Sequence, residues 1–133
     1  MARRPALLLG LLLLLAPACG RADGPEGVAR HFMEEYYVRV DLGAAKRVAG
    51  GLASQKLDNE VTLTRGQSTA VAMEGRSVAY SLRTQQQEGD RHSFLYEVRV
   101  RLTGGGEFTR RAVLLVGRVE GAWRVTNFSE SGL

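Results

Sequence analysis

The chain holds a single cysteine, Cys19, in 133 residues, so no disulfide framework can form within it. Its two histidines, His31 and His92, stand far apart in sequence and no acidic cluster joins them. That leaves no constellation with metal-ligand spacing. No glycine-rich loop follows a strand and opens a helix, which removes the phosphate-cradling motif; Gly104–Gly106 reads as a hairpin turn. Repeats and low-complexity tracts are absent. The apolar run from Ala6 to Leu15 falls short of the roughly 20 residues that a membrane-spanning helix needs. Arginines are plentiful but dispersed and interleaved with acids, whereas a nucleic-acid surface calls for a clustered stripe. The expectation is a chain with no metal, no cofactor and no nucleic-acid partner.

What the first residues do hold is an address. Arg3 and Arg4 precede the apolar run, and Ala16-Pro17-Ala18 supplies small residues at the positions a signal peptidase reads. Cys19 follows at once. The arrangement resembles the bacterial lipoprotein signal, with one departure: Ala16 stands where leucine is usual, and Leu15 lies one place further back. The resemblance implies that Cys19 is lipidated, becomes the mature N-terminus and tethers the chain in the bacterial cell envelope, on the outer membrane facing the periplasm. A plainly secreted or periplasmic domain is the alternative. The expected plan is a signal peptide over 1–18, a lipidated cysteine and short tether over 19–24, and one domain over 25–133. With Arg3 and Arg4 gone, 16 basic residues face 14 acidic ones, a net charge of +2.

Along the domain, Pro25-Glu26 opens a helix in which Val28, Ala29, Phe32, Met33, Tyr36, Tyr37 and Val40 recur at three- and four-residue spacing. Arg30, Glu34, Glu35, Arg39 and Asp41 face away, and His31 is placed to pair with Glu35 one turn on. Asp41 then caps a shorter helix lined by Ala45, Val48, Ala49 and Leu52, which Gly50-Gly51 should end or fray. Ser54–Thr64 reads as helix through Asn59 or Glu60, with a strand opening at Val61 the alternative. Thr69–Met73 is read as an edge strand, turned by Glu74-Gly75. Val78, Tyr80, Leu82 and Thr84 share one strand face, and Gln85–Asp90 is a polar hairpin loop.

The firmest pattern is Arg91–Phe128. His92, Phe94, Tyr96, Val98, Val100 and Leu102 alternate with Arg91, Ser93, Glu97, Arg99 and Arg101, with Leu95 the one apolar exception. Ala112–Val116 is apolar on both parities, as in a strand covered on both faces, and Trp123 shares a face with Val125. Helices followed by a meander predict an α+β domain, with N-terminal helices packed on a curved antiparallel sheet. The opening helix and the closing hairpin RRAVLLVGRVEGAWRVTNF, with its Trp123-Arg124-Val125, resemble the nuclear transport factor 2-like superfamily of cystatin-like fold. The likeness spans about Pro25 to Ser129. It implies a cone-shaped sheet wrapped round the first helix, with an apolar pocket.

Phe32, Tyr36, Tyr80, His92, Phe94, Tyr96 and Trp123 are the expected pocket lining. Tyr36, Tyr80 and Tyr96 could supply a proton donor, but no carboxylate reads clearly inward to act as base; Asp58 and Glu60 lie near the expected cone mouth. Three readings stay open. The first is a non-enzymatic, membrane-tethered domain that binds an apolar small molecule or a protein. The second is an isomerase- or dehydratase-like enzyme using the cone. The third is an envelope subunit that dimerises through its sheet, where Leu95, Val113 and Leu115 read outward. An inward carboxylate within hydrogen-bond reach of an inward tyrosine or histidine supports the enzyme, whereas a pocket lined by Phe32, Phe94, Val98 and Trp123 alone points to binding or simple packing.

Overall fold

The computed structural model describes residues 24–65 and 74–132. The leader, Cys19 and the edge strand expected at Thr69–Met73 lie outside the described residues.

Helix α1 (Pro25–Met33) starts as its sequence prescribes, with proline in the first turn and Glu26 beside the positive end of the helix dipole. Val28, Ala29, Phe32 and Met33 are its buried stripe. The helix then widens into a π-helical turn, Glu34–Val38, closed by the Arg39 amide donating to the Glu34 carbonyl at 2.9 Å. This turn breaks the helical phase. Glu35 rotates inward and is buried, where it meets Arg39 at 3.4 Å; it does not pair with His31, which stays exposed. Just beyond, Val40 sits at φ 54°, a left-handed conformation that a β-branched residue rarely adopts.

Helix α2 (Leu42–Arg47) is capped by Asp41, whose Oδ1 accepts from the Ala44 amide at 2.9 Å. It stops before the glycine pair, so Leu52 does not line it; Leu52 belongs to α3 (Gly51–Leu63) and is 49% exposed. The pair makes a corner. Gly51 has φ 52°, and a Cβ on Gly50 would come within 3.1 Å of the Val119 side chain. Helix α3 also runs past Glu60, which excludes the strand alternative at Val61. Its Lys56 ammonium, reaching Asn127 Oδ1 at 2.8 Å and the Phe128 carbonyl at 2.7 Å, ties it to the sheet.

Among the described residues, β1 (Arg76–Glu88), β2 (Arg91–Leu102), β3 (Glu107–Val119) and β4 (Ala122–Gly132) form one antiparallel sheet in chain order. Strand β1 is longer than its composition suggests. Gln85–Gln87 pair with Phe94–His92, and only Gly89-Asp90 turn the chain. These glutamines are exposed, and a strand wet on both faces shows no alternation to read. Register shifts at Leu82/Thr84 and at Leu115/Val116 add residues to one strand of a pair, which bends the sheet. The Val48–Gly50 linker pairs alongside β4 through Val125, with amide–carbonyl contacts of 2.8 and 2.9 Å.

Cross-strand rows build the concave face: Phe94–Leu114 with Phe128, then Tyr96–Ala112 with Glu130, then Tyr80–Val98–Arg110. Phe32 drops into this face with no exposure, its ring 5.0 Å from that of Phe128 and 5.4 Å from that of Tyr36. The convex face carries an ionic ladder, with Glu97 between Arg83 and Arg99, and Glu107 between Arg99 and Arg101. Each such exposed pair is worth at most about 1 kcal/mol. Leu95 and Val113 are half-buried on that side and Leu115 is 41% exposed.

Candidate functional site

The irregular end of the first helix opens onto a chamber of about 220 Å³ on the concave side, between that helix end and the sheet. Its walls are apolar, chiefly Val78, Val98, Val100 and Phe108. Its polar groups converge from separate elements: Tyr36 and Tyr37 from the π-helical turn, Glu60 from α3, Arg76 from β1, Arg110 from β3 and Glu130 from β4. Strained Val40 lines it as well. Both backbone irregularities of this region therefore border one cavity, which is where strain and π-turns tend to gather when a site is built.

The chemistry inside is specific. The Tyr36 hydroxyl donates to both Glu60 carboxylate oxygens at 2.8 Å. Arg110 pairs with Glu130 at 3.3 Å. The Tyr37 hydroxyl is buried and meets no hydrogen-bond partner of good geometry among the described residues, although the Glu130 carboxylate lies near enough to help hold its proton on. Burial pushes both phenols well above their ordinary range, with Glu60 reinforcing the effect at Tyr36 and Glu130 at Tyr37. Both stay protonated at any physiological pH. They can donate hydrogen bonds but cannot serve as bases.

The seven residues expected to line one pocket are distributed over four places. Tyr36 lines the chamber. Phe32 is fully buried, and Tyr96, 3% exposed, packs edge-on against Tyr80 at 5.8 Å; both fill the core. His92 and Phe94 border a hollow beside Pro25 and Gln85–Gln87, with His92 edge-on to Trp123 at 5.2 Å. Tyr80 and Trp123 line a wider groove along α1. The chamber, the groove and the hollow share no lining residue, and Phe32 and Phe128 are buried against each other with ring centroids 5.0 Å apart. Tyr37, Glu130, Arg76 and Arg110 were not among the residues expected to line a pocket. Parity could have found Glu130, two residues beyond Phe128 on the same strand face.

No family model matches the chain, and no curated protein matches it in sequence. Solved structures do match. A Thiobacillus denitrificans protein described as a calcium/calmodulin-dependent protein kinase type II association domain superposes with a TM-score of 0.59 at 12% identity, over 82% of this chain and 94% of that one. The VirB8 protein of Agrobacterium tumefaciens gives 0.59 at 10% identity, over 81% and 90%. An NTF2-like protein of unknown function from Burkholderia pseudomallei gives 0.51 at 15% identity, over 82% and 90%. The chain has the nuclear transport factor 2-like fold. Identities this low carry the fold alone. The site itself has to say what that fold does here.

Proposed function

We propose that the chain is a membrane-tethered domain of the cell envelope that binds a small molecule in the concave chamber without transforming it. The observation that carries the reading is the Tyr37 hydroxyl. Buried with Glu130 near but no well-aligned acceptor, this donor carries part of the roughly 1–3 kcal/mol cost of an unsatisfied group, which a ligand acceptor seated in the chamber would remove. Glu60, half-buried beside it, offers an acceptor in return. The complement is a molecule with an apolar body and a hydroxyl or carbonyl group. At about 220 Å³ the chamber lies below the roughly 300–1,000 Å³ of drug-sized sites, so the ligand is small or only one end of it enters. Tethering rests on Arg3-Arg4, the apolar run and Cys19 directly after Ala16-Pro17-Ala18, with only Gly20–Gly24 between Cys19 and α1.

Native mass spectrometry tests the binding. Wild type is expected to carry a small-molecule adduct that Tyr37→Phe loses; equal occupancy in both would overturn the reading. Tethering is tested by fractionation. Cys19→Ser should move the protein into the soluble envelope fraction, and retention in the membrane would rule out the lipid anchor.

The 2.8 Å contact between Tyr36 and Glu60 favours a second reading, because it is the inward carboxylate–tyrosine pair that proton-transfer chemistry needs. Glu60 would take a proton and Tyr37 would hold the developing negative charge. The two readings separate on what the chamber releases. An enzyme would convert the molecule that Glu60→Gln captures, while a binding domain would release that molecule unchanged.

A further inference from the structure

A concavity larger than the chamber lies elsewhere among the described residues. It is an open groove of about 810 Å³ along the outer stripe of α1, where Arg30, His31 and Glu34 meet Tyr80 from β1 and Trp123 and Arg124 from β4. Its charge is one-sided. Among the described residues Glu34 is the only carboxylate lining it, and that group accepts from the Tyr80 hydroxyl at 3.1 Å and lies 4.0 Å from Arg39. Among the described residues, Arg30, His31 and Arg124 have no carboxylate within ion-pair distance. The Trp123 ring is held in place, with the Arg118 guanidinium 4.3 Å over it and His92 edge-on at 5.2 Å. A fixed aromatic wall thus stands beside three basic side chains that have no acidic partner among the described residues, one of which, Arg124, donates to the Trp123 carbonyl at 3.2 Å.

We infer that this groove is a second ligand site, separate from the chamber, for a small organic anion. Its phosphate or carboxylate group sits among Arg30, His31 and Arg124, and its flat ring lies against Trp123. Arginine forks suit such groups because they donate two parallel hydrogen bonds, and the indole adds area without losing freedom.

Trp123 is the only tryptophan, so its emission reports on the groove directly. Titration of the purified protein with phenyl phosphate should give a saturable change in that emission, with Kd at or below about 1 mM. Inorganic phosphate, lacking the ring, should bind about tenfold more weakly. Arg30→Gln and Arg124→Gln should each weaken phenyl phosphate about tenfold while their unfolding transitions stay at wild type. Tyr37→Phe should leave it unchanged, so the two sites can fail separately. No saturable change, or affinity indifferent to both arginine substitutions, would overturn the site. So would phosphatidylglycerol vesicles that bind through the same arginines and are not displaced by phenyl phosphate; the groove would then be a membrane-facing surface.

Discussion

Tyr36, Tyr37, Tyr80 and Tyr96 are all the tyrosines of the chain, and each has its pKa raised above the ordinary phenol value. Tyr96 is the clearest case. Burial pushes it up to about 12, with Glu26 and Tyr80 adding to the shift and Arg30 opposing it. The unfolded chain releases a phenolic proton near pH 10, before the native state does. Stability is therefore unaffected below about pH 10 and falls as pH rises from there towards 12, by up to about 1.4 kcal/mol per pH unit for a fully shifted group such as Tyr96. An alkaline titration followed by tyrosinate absorbance and by circular dichroism should show ionisation and loss of fold together. Phenols that ionise near pH 10 while the native spectrum persists would contradict the packing described for them.

At the scale of elements, hairpins and helix faces were legible because side-chain period and turn chemistry are local. Val119 and Ala122 face each other across Glu120-Gly121, as the turn residues foretold. Both central residues have positive φ, 51° and 81°, so the first is under a strain that asparagine relieves. Glu120→Asn should raise stability by about 0.5–1 kcal/mol, read as a higher denaturant midpoint at unchanged slope; a fall would mean that the Glu120 side chain holds the turn. The helical faces erred at one place, the π-helical turn. A single change of helical pitch between Glu34 and Val38 cannot be read from a 3.6-residue period, and it reversed Glu35. The glycine pair erred for a related reason. Gly50-Gly51 looks like a helix end, but the corner it makes is set by Val119, a residue far along the chain.

The whole molecule depends on α1 filling a bent sheet, and that much followed from alternation in β2 and the stripe on α1. Phe32→Ala should cost about 3–5 kcal/mol, because its unexposed ring touches both the tyrosine and phenylalanine walls of the cone. A denaturation loss under about 1 kcal/mol would mean that the helix does not close the sheet. The chamber was far less legible. Its polar groups come from five elements, and sequence pattern says nothing about which ends converge once a sheet is bent by its bulges.

The chamber's role as a binding site is tested most directly by the stability of ligand-free Tyr37→Phe in denaturant. If the hydroxyl waits for a ligand, its removal should leave the empty protein as stable as wild type or about 1 kcal/mol more stable. A loss of 1 kcal/mol or more would show that the hydroxyl is already satisfied within the fold, and that the chamber holds no open place for a ligand.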